Sequence, residues 1–356
     1  MSLETARKRP IRTALSGPAA GVIASTHIAV QAGFPNVITC DMGGTSFDVS
    51  LVADGQGVLA AQTSVDFGLV VRTPMIEMTT IGAGGGSIAL VNRGGLLQIG
   101  PESAGSDPGP VCYGLGNDRP TVTDANLLLG RINAERPIGG NLNRLDVEAA
   151  RSAIETRVGD KLGLDAMAAA EAIIRVANSR MAGAIRLVSI ERGYNPASFT
   201  AMPFGGGGAL HAGALIKEVG LANALVPRYP GVTSALGCTI ADMRHDFVQT
   251  LNCMLDALDL EELRGRFSAL ADEGGVLLDQ SGVLFFGRSV SFELDMSYAG
   301  QTHTVDVPLK SSSENLRVSI SRAAIQSAFE SRYKAVFGNP LAGIPVRVLN
   351  LRVSVI

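Results

Sequence analysis

One short segment of the chain, Asp41–Ser46 (DMGGTS), combines the residue types that bind phosphate. Its two glycines let successive backbone N–H groups point into a turn, where they can donate hydrogen bonds to phosphate oxygens. The carboxylate before them would reach Mg²⁺ through water, because Mg²⁺ prefers a few carboxylates together with waters and phosphate oxygens, or it would orient the attacking group. The alternative is a plain hairpin turn that uses glycine only for positive φ. The segment predicts phosphate ligands at Gly43, Gly44, Thr45 and Ser46, catalytic residues at Asp41 and Thr45, and a water-mediated magnesium contact at Asp41.

A second glycine run, Phe204–His211 (FGGGGALH), precedes a predicted helix. Four glycines allow the backbone to lie against a flat ligand such as adenosine, with the helix N-terminus nearby. A tight strand-to-helix turn is the alternative, although such a turn rarely needs four glycines. His211, in the first helical turn, would contact nucleotide or substrate, or would be structural. The predicted nucleotide contacts are Gly205, Gly206, Gly207 and Gly208.

Three weaker signals accompany these two. The glycine turn Gly82–Ser87 fits contact with substrate or phosphate as well as it fits tight packing. Asp124 lies in turn-like sequence, where aspartate often only caps a helix. His245, between Asp242 and Asp246, has the residue types of a metal site, but the pattern favours a solvated turn. The candidate substrate contacts are Gly84, Gly85, Asp124 and His211.

The elements around the first turn decide which kind of phosphate site it would be. Asn36–Cys40 is a short β-branched run, and Phe47–Val52 alternates apolar with polar residues, which predicts two strands. A P-loop or dinucleotide-binding site needs a helix directly after its glycines. A glycine turn between two strands, with aspartate at the end of the first, instead resembles the phosphate turn of the actin-like ATPases.

The rest of the chain predicts an α/β fold in two domains. Helical periodicity runs through 19–32, 146–157 and 165–192, and a strand at 199–204 leads through the four glycines into a helix at 209–219. Composition shifts near Leu255, after which helices and strands follow in an α+β pattern. We therefore predict a core at 1–254 and a smaller C-terminal α+β domain at 255–356.

Composition excludes several classes of function. The net charge is −3 and no Lys/Arg block stands out, so no nucleic-acid partner is expected. No stretch reaches the roughly 18 uninterrupted apolar residues of a membrane span, so a soluble protein without a membrane partner is expected, and the cysteine pattern favours a cytoplasmic one. The four cysteines are far apart, as free thiols of a reducing compartment would be. Glycine is frequent, at 42 residues, and its clusters lie between apolar runs rather than in polar linkers.

Taken in order, the motifs resemble the hydantoinase A/oxoprolinase family over nearly all of residues 10–250. The ordered set is far more specific than any single motif. The matching stretches are LSGPAAGV (Leu15–Val22), DMGGTSFDVSLV (Asp41–Val52), GAGGGSIA (Gly82–Ala89), GPESAGSDPGPVCYG (Gly100–Gly114), PTVTDANLLLGR (Pro120–Arg131), SIERGYNP (Ser189–Pro196), FGGGGALHA (Phe204–Ala212), PGVTSALG (Pro230–Gly237) and ADMRHDF (Ala241–Phe247).

The resemblance implies an actin-like ATPase (ribonuclease H-like) core and the cofactors ATP and Mg²⁺. It implies that ATP phosphorylates the carbonyl oxygen of a lactam or hydantoin substrate, with a hydantoinase B-type subunit or domain as partner. By the same resemblance, Asp41 to Thr45 hold phosphate and magnesium, and Gly205 to Gly208 contact adenosine. The ATP-using subunit of an acetone-type carboxylase and a non-catalytic nucleotide-switch ATPase remain alternatives.

Two departures from the family pattern matter. The family carries an earlier Asp-x-Gly-Gly-Thr turn on the other half of the nucleotide cleft, and nothing before Leu15 resembles it. This chain is therefore expected to supply the second half of the cleft and to act with a missing N-terminal half of the same polypeptide. Its C-terminal domain is expected to be truncated, and the chain alone is expected to be inactive. The second departure is Gly207-Gly208-Ala209, where the family tends to have alanine and proline.

Overall fold

The computed structural model describes residues 3–8, 10–60, 63–65, 69–71, 75–137, 142–312, 317–318 and 320–356. The chain divides into two compact units. The large unit is Leu15–Ala241, and the small unit is Asp242–Ile356 together with Met1–Ala14. In the described part of the chain, no helix combines the length and the apolar composition that crossing a bilayer requires.

The helices and strands are named in chain order. The α-helices are α1 (Leu3–Lys8), α2 (Ser16–Gln31), α3 (Val122–Leu128), α4 (Val147–Ile154), α5 (Asp160–Leu162), α6 (Ala166–Val188), α7 (Gly208–Val219), α8 (Thr233–Ile240), α9 (Leu260–Asp279) and α10 (Arg322–Phe337). The strands are β1 (Val37–Met42), β2 (Phe47–Ala53), β3 (Gln56–Gly57), β4 (Leu59–Ala60), β5 (Thr63–Val65), β6 (Leu69–Val71), β7 (Met75–Ile76), β8 (Thr79–Ile81), β9 (Ser87–Val91), β10 (Leu97–Ser103), β11 (Thr200–Phe204), β12 (Asn223–Ala224), β13 (His245–Met254), β14 (Val290–Tyr298), β15 (Val305–Leu309), β16 (Ser311–Ser312), β17 (Arg317–Val318) and β18 (Val346–Val355).

The large unit is built on a mixed sheet with the strand order β12-β11-β1-β2-β3, and β8 also pairs with β2. β1 runs parallel to β11 and antiparallel to β2, and β11 runs parallel to β12. Alternate residues of β1 enter two different apolar clusters, because helices cover both faces of the sheet. Ile38 and Cys40 share a cluster with residues of α6, whereas Val37 packs with Val22 and Ala29 of α2.

Small residues let α2 and α8 approach each other closely. A Cβ added to Gly237 of α8 would overlap the carbonyl group of Ala20 in α2. A Cβ on Gly21 would lie 2.7 Å from the ring of Phe204, at the end of β11. The small residues of α2 therefore allow it to pack tightly against both α8 and the sheet.

The small unit contains a four-stranded antiparallel sheet with the order β13-β18-β14-β15. α9 and α10 cover one face of this sheet. The ring of Phe267 in α9 packs edge-on against Phe292 of β14 with centroids 5.1 Å apart, and Phe329 of α10 packs against Tyr298 of the same strand at 4.9 Å. Apolar residues at alternate positions of β14 enter the cluster that these helices share with the sheet.

The division between the units lies at 241/242 rather than at the predicted 254/255. The composition shifts only after β13, but β13 pairs along most of its length with β18 and so belongs to the small unit. The solvated turn predicted around His245 is wrong for the same reason. His245 is fully buried as the first residue of β13, and Asp246 forms an ion pair with Arg244 at 2.9 Å.

Candidate functional site

The Asp41–Ser46 segment forms the turn of the β1–β2 hairpin, as its pattern predicts. Asp41 pairs with Asp48 and Met42 with Phe47 across the antiparallel strands. The N–H of Gly43 donates to the carbonyl oxygen of Ser46 at 3.1 Å and closes the turn. No helix follows the glycines, so the arrangement differs from a P-loop.

The turn presents backbone N–H groups that the protein itself does not use. In the residues that the structure describes, the N–H groups of Gly44, Thr45 and Ser46 have no hydrogen-bond partner. Gly43, Gly44 and Thr45 are exposed, and no atom lies within 4 Å of where a Cβ on either glycine would be. Three neighbouring N–H groups at an exposed turn are therefore available as hydrogen-bond donors to a ligand.

Asp41 lies at the end of β1, next to this turn. The hydroxyl of Ser234 donates to its Oδ2 over 3.5 Å. Burial and, to a smaller extent, the neighbouring Asp48 raise the pKa of Asp41 to about 6, although the Ser234 hydrogen bond opposes the rise. Asp48 accepts hydrogen bonds from Ser46 Oγ at 3.0 Å and from Thr80 Oγ1 at 2.5 Å.

The four-glycine run begins beside Asp41, because parallel pairing of β1 and β11 places Phe204 opposite Asp41. Gly205 has φ +78°, and a Cβ there would collide with Asp41 Oδ1 and lie 2.5 Å from the carbonyl oxygen of Met42. The N–H of Gly207 donates to that same carbonyl oxygen at 3.0 Å. Both predicted loops therefore meet at the C-terminal ends of two parallel strands, the edge where ligands bind in open α/β sheets.

The third glycine turn supports the first one. The N–H of Gly85 donates to Gly43 O at 2.9 Å, and the N–H of Gly86 donates to Gly44 O at 2.6 Å. A Cβ on Gly84 would lie 2.6 Å from the Gly44 backbone, and Gly84 is buried. Of the two alternatives, tight packing accounts for Gly84 and Gly85, since their N–H groups are occupied and their side-chain positions are closed.

Asp124 acts as a cap rather than as an open substrate contact. The carboxylate is fully buried at the start of α3 and accepts hydrogen bonds from the N–H and hydroxyl of Thr121 and from the N–H groups of Val111 and Cys112. All four donors come from the loop before the helix and the helix start. The carboxylate therefore fastens the 111–113 segment to α3.

Replacing Asp124 with alanine is expected to destabilise the large unit by about 3 kcal/mol, because buried donors lose their acceptor. Asp146→Ala is the matched control, since Asp146 is an exposed N-cap of α4 that accepts one hydrogen bond, from Ala149. The Asp146→Ala control should lower the free energy of unfolding by only about 1 kcal/mol. Urea unfolding of both variants measures the difference, and equal losses would contradict the capping role.

His211 is a buried neutral histidine. Its Nδ1 lies 2.6 Å from Asn178 Oδ1, and its Nε2 lies 3.3 Å from Asn126 Nδ2. Nδ1–H therefore donates and Nε2 accepts, so neither ring nitrogen is left for a substrate. Burial, together with the smaller effect of the Arg131 charge, lowers the pKa of His211 to about 4.

This pKa predicts a pH dependence of stability. The folded-state pKa lies below the ordinary value of 6.5, so the unfolded chain binds a proton first and the stability contributed by His211 is lost as pH falls from 6.5 through 4. His211→Gln should lose less unfolding free energy than the wild type over that interval. Denaturant unfolding at successive pH values gives the difference between the two proteins, and parallel curves would contradict the prediction.

The described residues contain no group of three or more His, Cys, Asp or Glu side chains arranged to hold a metal ion. All four cysteines are free thiols, and burial raises the pKa of Cys40 to about 12.

The sequence offered no indication of a role for Ser234 or Thr80, although their hydroxyls donate hydrogen bonds to the carboxylates of Asp41 and Asp48 at the hairpin. The only available signal was that Ser234 lies in the PGVTSALG stretch.

Comparison with known proteins agrees with this arrangement. A family model described as hydantoinase/oxoprolinase matches residues 1–247. The chain belongs to the hydantoinase/oxoprolinase family. Among its relatives, the caprolactamase subunit alpha of Pseudomonas jessenii is 40% identical over 98% of this chain and 50% of its own length.

Two further similarities place the chain within the family. The acetophenone carboxylase gamma subunit of Aromatoleum aromaticum is 34% identical over 97% of this chain and 48% of its own length. The crystal structure of the ATP-dependent caprolactamase from Pseudomonas jessenii has a TM-score of 0.77 at 39% identity and covers 95% of this chain and 49% of that one. The chain thus spans about half the length of the curated relatives it matches.

Proposed function

We propose that this chain is the ATP-binding portion of an ATP-dependent cyclic-amide hydrolase with an actin-like ATPase core. One observation carries the proposal: three unpaired N–H groups of an exposed hairpin turn lie beside the Asp41 carboxylate and the Gly205–Gly208 loop. The turn offers donors to a phosphate chain, and the loop offers a surface without side chains to the nucleoside. The similarity to an ATP-dependent caprolactamase supports the same assignment.

The residues at this site fit a magnesium–nucleotide complex. Asp41 supplies a single carboxylate, which suits a water-mediated contact with Mg²⁺ that waters and phosphate oxygens complete. The Thr45 hydroxyl and the unpaired N–H groups of the turn remain for phosphate, whereas the Ser46 hydroxyl already donates to Asp48. The glycine at position 205 keeps the space in front of Asp41 free of a side chain. In this proposal Gly43 to Ser46 hold phosphate, Asp41 contacts magnesium through water, and Gly205 to Gly208 lie against the adenosine.

Such an enzyme would use ATP to phosphorylate the carbonyl oxygen of a lactam or hydantoin, which makes the ring carbon open to attack by water. Amides resist hydrolysis through resonance, and the phosphate ester provides a leaving group. This chain would bind and orient the nucleotide, and the remaining segments of the polypeptide and a hydantoinase B-type partner would complete the enzyme. Of the sequence-predicted sites, the DMGGTS turn and the four-glycine run serve this function.

The test is a screen of ATP hydrolysis by the complete enzyme with its partner subunit, in the presence of lactams and hydantoins. The expected result is phosphate release that depends on one cyclic amide, together with release of the ring-opened acid. ATP hydrolysis that ignores every cyclic amide but responds to peptides would instead support a nucleotide-switch ATPase.

An acetone-type carboxylase subunit is the second candidate, because the acetophenone carboxylase gamma subunit is similar over 97% of this chain. The two candidates differ in their second substrate. A carboxylase would release phosphate only when both a ketone and bicarbonate are present. Omitting bicarbonate from otherwise identical assays separates it from the hydrolase.

A further inference from the structure

The Asp41 side chain is confined from two sides within the large unit. Its Oδ1 lies against the backbone of Gly205, in the space that a side chain there would fill. Its Oδ2 faces Ser234 of α8, whose hydroxyl donates to it over 3.5 Å. Among the described residues, Ser234 supplies the only hydrogen bond that this carboxylate accepts.

Helix α8 is itself fixed against α2. Gly237 packs on the backbone of Ala20 with no room for a Cβ. Gly21, the next residue of α2, lies beside Ser234, and a Cβ there would be 2.9 Å from the serine hydroxyl oxygen. Glycine at both positions therefore lets α8 sit close enough for Ser234 to reach Asp41.

The start of α8 is also tied to the four-glycine run. The Thr233 hydroxyl lies 3.2 Å from Tyr229 O and 3.3 Å from Pro230 O, which fixes the turn that leads into the helix. Pro230 O accepts the N–H of Gly205 at 2.9 Å. The hydroxyl of Ser234 and the backbone of Gly205 are thus held by one connected set of contacts.

On the side of Asp41 that faces β2, the neighbouring group is a second carboxylate rather than a hydrogen-bond donor. Asp48 stands directly across the strand pair, and like charges in such a pair repel. The hydroxyls of Ser46 and Thr80 are already bonded to Asp48. Without Ser234, nothing in the described residues would hold the Asp41 carboxylate beside the glycine loop.

We propose that Ser234 is a positioning residue that holds the Asp41 carboxylate between the phosphate-binding turn and the Gly205 loop. The proposal rests on the nucleotide site proposed above. Ser234 itself acts through Asp41 and does not contact the nucleotide. Loss of its hydroxyl should therefore slow the chemical step and weaken the part of nucleotide binding that depends on magnesium, while substrate affinity stays the same.

The experiment compares Ser234→Ala with Thr239→Ala in the complete enzyme. Thr239 lies on the exposed side of the same helix, where its hydroxyl only donates to Leu236 O at 2.7 Å. Ser234→Ala should lower kcat for amide-dependent ATP hydrolysis about tenfold, the usual effect of removing a group that orients a metal contact. KM for the amide should change by less than about twofold, as expected when binding is unaffected.

Calorimetry provides a readout that does not require turnover. Ser234→Ala should weaken binding of Mg-ADP and leave binding of ADP in EDTA unchanged, and a crystal structure of the variant should show the Asp41 carboxylate displaced. A variant that matches Thr239→Ala in kcat and in Mg-ADP affinity overturns the inference while the proposed function stands. A wild-type complex that binds no Mg-ADP overturns both.

Discussion

Replacing Gly205 with alanine is expected to lower kcat/KM for ATP-dependent turnover by roughly 100-fold, because a displacement of about 1 Å at a reacting group has that order of effect. Gly205 has φ +78°, where L side chains are strained, and its Cβ would collide with Asp41 Oδ1. The new methyl group would also lie 2.5 Å from Met42 O. Asp41 or the loop must move, and either movement changes the position of the carboxylate relative to the turn that we propose binds phosphate.

The same substitution should destabilise the large unit by roughly 3 kcal/mol, from left-handed backbone strain together with overpacking. Gly213→Ala is the matched control, because Gly213 is exposed on α7 and a Cβ there meets no atom within 4 Å. The control should keep full activity and gain slightly in stability, since alanine restricts the unfolded chain. Steady-state kinetics and denaturant unfolding measure both effects; a Gly205→Ala variant as active as the control would refute the assigned geometry.

Local chemistry explains why the hairpin and the glycine run could be predicted from the sequence. The β-branched run before DMGGTS and the period of two after it are properties of neighbouring residues, and the turn between them follows without knowledge of the rest of the fold. The helix after Gly205–Gly208 is likewise signalled within a dozen residues. The structure confirms both the hairpin and this helix.

Contacts between distant segments explain what the sequence could not provide. Ser234 meets Asp41 across 193 positions of sequence, and His211 is occupied by Asn178 and Asn126, which are 33 and 85 positions away. The composition shift near Leu255 likewise misplaced the boundary, because the partner of β13 is the last strand of the chain. The role of the Gly82–Ser87 turn also depends on a distant contact. Its own sequence does not reveal that it packs against the Asp41–Ser46 turn.

Asp41→Asn is expected to reduce amide-dependent ATP hydrolysis by roughly 100-fold or more, the usual order for loss of a charged group that acts in the chemical step. Asparagine keeps the shape and can still accept the Ser234 hydrogen bond, so the fold should survive. The matched control is Asp54→Asn, a carboxylate in the exposed turn after β2. Full activity in Asp41→Asn would show that the Asp41 carboxylate has no role in the reaction.

Without nucleotide or metal, Asp41→Asn should also change how stability depends on pH. The folded-state pKa of Asp41 is raised from 3.8 to about 6 by burial and by Asp48. Its stabilising contribution is therefore fully present below pH 4 and is lost as pH rises through 6, because the folded state keeps the proton longer than the unfolded chain. Relative to the wild type, the variant should gain about 1–2 kcal/mol between pH 4 and pH 8, a value reduced for the partial exposure of the carboxylate. Unfolding in EDTA at both pH values measures this gain.

The same comparison in an Asp48→Asn background, between Asp48→Asn and Asp48→Asn/Asp41→Asn, separates the two causes of the raised pKa. The gain should shrink there only by the part of the pKa rise that Asp48 causes. Because burial is the larger cause of the raised pKa, most of the gain in stability should persist. That result would identify the burial of Asp41 beside the glycine loop and α8 as the main reason why its charged form is disfavoured.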